Sequence, residues 1–302
     1  MKNRREHDGK GYGTLFVVST PIGNLEDITL RALRVLKSVD MIVAEKTVHT
    51  KRLCDYYGIK TRRATCHQHN QKAKTPELIR LLKSGHDLAI VTDAGTPGIS
   101  DPGPYLIDQA AREDIAVSPI PGPSAVIAAL SVSGFQSDQF VFVGFLPNKS
   151  GKRKKKLKGL LSERNTMVFY EAPHRVKAML NDFSEIFGLR QMVMLREMTK
   201  IFEDVKRGAA RDILEYLTQE NTKGEFTLVV EGKKREEKDA GLSKEVLVRI
   251  EKLLTEGALT LKDISNLLSD EEGLAYRQVY KECLAKKREI ERLGRDGIGQ
   301  KT

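Results

Sequence analysis

The amino-acid sequence predicts an α/β protein with two sheet-bearing domains and a small helical domain at its carboxyl end. Apolar runs at residues 15–19, 41–45, 88–92 and 116–120 alternate with helix-like segments, the pattern of a mostly parallel sheet. Further strand-like runs at 140–145, 166–171, 191–197, 202–207 and 226–231 have fewer helices between them and predict a second, mixed sheet. Beyond them the strand signal ends, and Leu247, Ile250, Leu254, Leu261, Ile264 and Leu267 recur at helical spacing. The expected division is a disordered basic tail at 1–13, domains at 14–135 and 136–232, a linker at 233–241, and a helical unit at 242–302 shaped like a helix-turn-helix variant.

Each element has a local reason. Leu88-Ala89-Ile90-Val91 is apolar without interruption, as expected of a strand covered on both faces. Segment 28–39 places Ile28, Ala32, Val35 and Val39 on one helical face. Helices are also expected over 105–112, 175–187 and 209–219, and no repeat at solenoid spacing is present.

Composition narrows the function classes. The chain has 302 residues, 40% of them apolar, which suffices for ordinary cores. Its net charge of +10 favours a polyanionic partner, RNA first. Cys54, Cys66 and Cys283 are too few and too scattered for a disulfide framework, so a reducing cytoplasm is expected. The tail at 1–13 lacks an apolar segment of signal-peptide length, and no run approaches a membrane span, so no membrane partner is expected.

Three Gly/Pro-rich loops each follow an apolar strand: Thr20-Pro21-Ile22-Gly23-Asn24-Leu25, then Asp93-Ala94-Gly95-Thr96-Pro97-Gly98-Ile99-Ser100-Asp101-Pro102-Gly103, then Ile120-Pro121-Gly122-Pro123-Ser124-Ala125. On parallel strands such loops open on one sheet edge, where open α/β sheets bind ligands. An ordinary turn explains any one of them; three together point to a built site. Rossmann and P-loop sites are excluded. No Gly-x-Gly-x-x-Gly follows a strand, and between Gly144 and Gly151 lie six residues instead of four, with Arg153 in the Ser/Thr place.

Other groupings carry two readings each. Glu171-Ala172-Pro173-His174-Arg175, at a strand end, either positions a hydroxyl or caps the following helix. Cys66-His67-Gln68-His69-Asn70 has adjacent ligand types badly spaced for one tetrahedral ion, so no metal is expected and a substrate-facing loop fits better. Lys149, Lys152, Arg153, Lys154, Lys155, Lys156 and Lys158 form an acid-free run that reads as an RNA-backbone contact or as a solvated helix face.

In these segments the chain resembles the tetrapyrrole methylase superfamily. The matching stretches are Ser19-Thr20-Pro21-Ile22-Gly23-Asn24-Leu25-Glu26-Asp27-Ile28-Thr29, residues 93–103 and 119–125, Gly144-Phe145-Leu146-Pro147, Phe169-Tyr170-Glu171-Ala172-Pro173-His174-Arg175, and residues 224–232. The resemblance implies a two-domain, non-Rossmann α/β fold with S-adenosyl-L-methionine in the interdomain cleft. It implies that Pro21, Asp93, Ala94, Gly95, Thr96, Ile99, Ser124 and Ala125 line the cofactor, with Tyr170, Met198 and Thr227 closing it. Within the superfamily the match is to enzymes that methylate a cytidine 2′-hydroxyl in 16S ribosomal RNA at the decoding centre of the small subunit. It implies a homodimer, and RNA contacts from the basic run together with His174 and Arg175. Candidates for a base are Glu45, His49, His69 and Glu171. The family's usual acidic residue and arginine are replaced here by Lys46 and Val48, so a pair has been exchanged or the substrate contacts differ. Two alternatives share the fold: a methyltransferase for a small tetrapyrrole, and a ribosome-binding factor without catalysis.

Overall fold

Five short apolar strands form the first sheet, and their order decides where the loops meet. The computed structural model describes residues 11–234 and 242–296. Strands β1 (Leu15–Val18), β2 (Met41–Ala44), β3 (Arg63–Thr65), β4 (Leu88–Val91) and β5 (Val117–Ile120) lie in the order β3-β2-β4-β1-β5, and every pairing is parallel. Helices α1 (Leu30–Ser38) and α2 (Thr47–Tyr56) supply one face; α3 (Gln71–Lys83) and α4 (Pro104–Arg112) supply the other. Alternate strand residues serve the two faces. Ile42, Ala44, Ala89 and Val91 pack with Ala32, Leu36 and Leu53, whereas Met41, Val43, Leu88 and Ile90 pack with Leu78, Leu82 and Leu106. This two-sided burial is why the strands read as unbroken apolar runs.

The helices start where the backbone amides find partners. Thr29 caps α1 by accepting from the Ala32 amide, and Pro104 opens α4, where a missing amide hydrogen has no consequence. Strand β3, with Arg63 at its start and no hydrophobic run, was not expected from the sequence; it is a half-buried edge strand paired only with β2. The tail also ends earlier than expected. Tyr12 packs against the core and the Gly13 amide donates to the Leu82 carbonyl at 2.8 Å, while residues 1–10 lie outside the described residues.

The second sheet is mixed and has the order β6-β7-β10-β8-β9. Its strands are β6 (Phe140–Phe145), β7 (Thr166–Glu171), β8 (Gln191–Arg196), β9 (Asp204–Ala209) and β10 (Phe226–Val230), with only β6 and β7 parallel. The expected strand at 202–207 is displaced to 204–209. Ile201 and Phe202, which gave the apolar signal, sit in the preceding turn with 95% and 71% of their surface exposed. One face carries α6 (Ser150–Gly159), α7 (Val176–Phe187) and α8 (Ala210–Tyr216), over a core containing Phe169, Phe183, Phe226 and Leu228. The other face receives α5 (Ala125–Ser133), whose Val126, Ala129 and Leu130 pack on Val168, Val193, Leu195 and Val229. Helix α5 follows β5, so it binds the first sheet's connectivity to the second sheet's core.

Helix α6 holds six of the basic run's members, but its inward face is built on charge. Arg153 is 3% exposed, donates from Nε to Asp182 Oδ2 of α7 at 2.7 Å, and caps the Asn148 carbonyl from Nη1 at 3.0 Å. Ser150 Oγ donates to the same carboxylate, and Lys154 pairs with Glu185. The run is thus partly neutralised by acids from α7, far away in sequence, and Arg153 is withdrawn from any RNA contact.

The chain divides into units at 1–233 and 234–302. The second unit contains α9 (Lys244–Glu256), α10 (Leu261–Glu272) and α11 (Tyr276–Asp296), with Leu242, Val246, Ile250, Ile264, Leu268, Val279 and Cys283 as its core. Leu247, Leu254 and Leu261 flank that core. Ser243 caps α9, and Thr260 with Asp263 forms a capping box on α10. The expected linker residues 235–241 and the end at 297–302 lie outside the described residues.

Replacing Asp182 by Ala strands a buried guanidinium and is expected to cost about 3–5 kcal/mol. Replacing exposed Lys156 by Ala should change stability by less than about 0.5 kcal/mol. Urea denaturation of the two variants checks the difference.

Candidate active site

Because β4, β1 and β5 are neighbours, the three Gly/Pro loops leave the same edge side by side and bond to one another. Thr20 and Gly95 exchange backbone hydrogen bonds at 2.9 and 3.0 Å, an isolated bridge between the first and second loops. The Thr20 hydroxyl donates to the Thr92 carbonyl at 3.2 Å. The Thr96 hydroxyl donates to the Pro123 carbonyl of the third loop at 3.1 Å, which leaves Ser19 Oγ to donate to Thr96 Oγ1 at 2.9 Å. Ser19 and Thr20 are buried, and these bonds satisfy hydroxyls that water cannot reach; the buried Thr92 hydroxyl donates to the Ala94 carbonyl at 3.3 Å.

A fourth segment closes on this edge from the second sheet. An ideal Cβ on Gly23 would stand 2.6 Å from Thr199 Oγ1 and 2.8 Å from the Met198 carbonyl, so only glycine permits the approach. The Asn24 amide donates to Thr199 Oγ1 at 3.0 Å. Thr227 pairs in register with Tyr170 on β7, and Tyr170 and Met198 both flank the core that α5 shares with the second sheet. The residues expected to line a cofactor lie on these loops and on β7, β10 and the turn after β8: buried Pro21, half-buried Asp93, Ala94, Thr96, Ser124 and Ala125, buried Gly95 and Thr227, half-buried Tyr170 and Met198, and exposed Ile99. Ser124 precedes α5 but makes no side-chain cap bond, so its hydroxyl is free for a ligand.

Charge gathers at the same place. Asp93 Oδ2 is 3.0 Å from Lys46 Nζ and 2.9 Å from His49 Nδ1, while Asp93 Oδ1 is buried with no partner. The Lys46 ammonium is held above its ordinary pKa by its hydrogen bond to Asp93. Asp101, in the same loop, is pushed up to about 6 by burial, with the Glu45 and Asp93 charges adding to the shift. Tyr170 is pushed to about 12 by burial and by the Asp101 charge. Asp101 was not singled out in the sequence, where it reads as one more polar residue of a Gly/Pro turn. Its environment arises only when β2 and β4 stand side by side.

Among the candidate bases, His49 contacts Asp93, and Glu45 acts on Asp101 and Lys46 through its charge. No hydrogen bond or ion pair among the described residues brings His69 or Glu171 to them. The His69 amide donates to His67 Nδ1 at 3.2 Å within its own exposed loop. Glu171 has a fully covered side chain, accepts from the Ala172 amide at 2.8 Å and pairs with Arg175 at 3.0 Å. Burial pushes its carboxyl up, against the Ala172 amide and Arg175. Arg175 also donates from Nη2 to the Leu146 carbonyl at 2.5 Å. Glu171 and Arg175 thus form a helix-start network rather than the expected base and RNA contact, whereas His174 remains exposed.

The fold, a parallel five-stranded sheet joined to a mixed one, is that of a methyltransferase-type α/β protein. The family model for tetrapyrrole (corrin/porphyrin) methylases matches residues 14–214, and the chain belongs to this family. The chain is 41% identical over 275 residues to the ribosomal RNA small subunit methyltransferase I of Pseudomonas aeruginosa, covering 90% of this chain and 97% of that protein. It is 40% identical over 287 residues to the protein of the same name from Escherichia coli O157:H7, covering 94% and 99%. Among solved structures, uroporphyrin-III-C-methyltransferase from Thermus thermophilus superposes with a TM-score of 0.53 at 22% identity, covering 72% of this chain and 94% of that one. Diphthine synthase gives a TM-score of 0.57 at 15% identity, covering 72% and 90%. These two share the fold.

Asp101 gives a pH test. Below its ordinary pKa of 3.8 the carboxyl is protonated in folded and unfolded chains alike. As pH rises past about 6, the folded site must ionise against burial and its neighbours, so the penalty is fully present at neutral pH. Asp101→Asn should raise the melting temperature relative to the parent at about pH 8 and leave it unchanged at about pH 3, by calorimetry at both values.

Proposed function

We propose that the protein methylates the 2′-hydroxyl of a cytidine ribose in 16S ribosomal RNA of the small subunit, using S-adenosyl-L-methionine. The observation that carries the reading is the identity of 40–41% to proteins named for small-subunit ribosomal RNA methylation, over nearly their whole length. The electrostatics agree. Lys149, Lys152, Lys155 and Lys156 are exposed and have no ion pair among the described residues, which suits a phosphate backbone. A compact macrocycle would make no use of such a face. The same reading includes a homodimer working in the cytoplasm; among the described residues no helix is long and apolar enough to cross a membrane.

The site suits the cofactor. The unpartnered, buried Oδ1 of Asp93 needs a donor, which an amine or a ribose hydroxyl supplies. Ile99 and Ala125 offer apolar surface, Ser124 a free hydroxyl, and the stitched loops around Pro21, Gly95 and Thr96 a rigid backbone. In this reading Tyr170, Met198 and Thr227 close the cofactor site from the second sheet, where Tyr170 and Thr227 are register partners. When bound, the sulfonium supplies a methyl group already activated for transfer. The chain's own residues must orient the acceptor and take its proton. The 2.9 Å contact between His49 Nδ1 and Asp93 Oδ2 selects the tautomer with hydrogen on Nδ1, leaving Nε2 to accept a proton. Lys46 shares Oδ2, so the residue that departs from the family pattern is anchored to the site's central carboxylate.

Purified protein should transfer tritiated methyl from S-adenosylmethionine to small ribosomal subunits lacking the native modification, with the label mapped to a ribose by alkali resistance of the adjacent linkage. Label only in a porphyrinoid acceptor, or nowhere, overturns the reading. Ser124→Arg should abolish cofactor binding by calorimetry while circular dichroism stays unchanged. His49→Asn should lower kcat roughly a hundredfold with cofactor affinity intact. Replacing Lys149, Lys152, Lys155 and Lys156 by Gln should reduce the slope of log affinity for RNA against log salt by about three.

A further inference from the structure

Phe145 stands where a buried aromatic would be expected and is instead half exposed. It ends β6 with 52% of its surface open, yet its ring is held edge-on to Tyr170 at 5.7 Å, and Phe142 holds the same tyrosine at 5.1 Å. In a regular strand residues three apart point to opposite faces, so Phe142 and Phe145 could not share a neighbour. The β6–β7 register shifts between Phe142 and Gly144, and this irregularity puts both rings on the Tyr170 side. Gly144 makes it possible. Its φ is +68°, and an ideal Cβ there would be 3.2 Å from Ser100 Oγ in the second Gly/Pro loop. A bulge of this kind re-aims a side chain beside a site.

The backbone after Phe145 is clamped. The Leu146 carbonyl accepts from Arg175 Nη2 and the Asn148 carbonyl from Arg153 Nη1, each arginine held in turn by a buried carboxylate, Glu171 or Asp182. The two arginines that appear in the sequence as RNA contacts therefore fix the segment between Phe145 and the lysine face of α6. Ile99, 43% exposed in the loop that Gly144 touches, adds apolar surface.

We propose that Phe145 is the stacking platform for an unpaired nucleobase of the RNA substrate, set between the 93–103 loop and the exposed lysines of α6. The inference rests on the RNA reading above and adds the group that holds the base. A flat, half-apolar base attached to an anionic backbone matches a half-exposed aromatic ring that precedes the exposed Lys149 and Lys152 by four and seven residues, and single-stranded RNA is gripped in this way through stacking and phosphate contacts. Phe145 positions the base; the proton and the methyl group are handled in the cleft.

Phe145→Leu keeps apolar bulk and removes the ring face. It should lower kcat/KM for unmethylated small subunits about tenfold, chiefly through KM, with S-adenosylmethionine affinity unchanged by calorimetry. Phe145→Trp should restore kcat/KM. The chain contains no tryptophan, so that variant carries one reporter. Its emission should be quenched by oligocytidylate and not by an abasic oligomer of the same length and charge. Equal quenching by both, an unchanged kcat/KM in Phe145→Leu, or loss of cofactor affinity in that variant overturns the platform while leaving RNA methylation standing. Absence of methyl transfer to RNA by the parent protein overturns the functional reading itself, and the platform with it.

Discussion

The structure depends on one set of contacts, the hydrogen bonds by which three adjacent strand-end loops hold one another. Parallel strands deliver their loops to one edge, but delivery alone would leave buried hydroxyls and amides without partners. Thr20 resolves this by bonding to Gly95 and Thr92, Ser19 by bonding to Thr96, and Thr96 by bonding to Pro123. The result is a rigid rim in which a carboxylate, Asp93, is presented with one oxygen engaged and one free. Precision at such a site comes from neighbours that cannot move independently.

The second constraint is electrostatic. Buried Arg153 and half-buried Arg175 pair with buried carboxylates and also donate to loop carbonyls. Buried ion pairs contribute little net stability but tolerate the loss of neither partner, so they fix geometry. Their effect is to separate the roles of the basic residues: Arg153 of the basic run and Arg175 at the start of α7 hold the backbone, while Lys149, Lys152, Lys155 and Lys156 are exposed. At the cleft, the same logic makes Asp101 resist ionisation, because burial and like charges act together.

Most of the fold was legible. Continuous apolar runs gave nine of the ten strands, with β6 and β7 at their observed bounds, and the helical tail followed from leucine spacing. The two strand errors share a cause. β3 carries no apolar signal because it is a half-exposed edge, and β9 was misplaced because Ile201 and Phe202 are apolar yet exposed. That the Gly/Pro loops meet at one sheet edge was legible from their place after apolar parallel strands. Which reading of Glu171 and Arg175 holds was not legible, because a strand-end carboxylate beside an arginine looks the same in sequence whether it faces substrate or pairs at a helix start.

Periodicity, loop chemistry and charge balance are local or additive properties of a chain, and from them the sequence by itself determined the α/β class, the edge at which the three loops meet and the excess of positive charge. Tertiary structure decided what depends on partners far apart in the chain. It turned Arg153 toward Asp182, put Lys46 and His49 on Asp93, isolated Asp101 among carboxylates, and used a bulge at Gly144 to bring Phe145 beside Tyr170. Desolvation and pairing are set by which groups the fold brings within a few ångströms, and no local pattern encodes that distance.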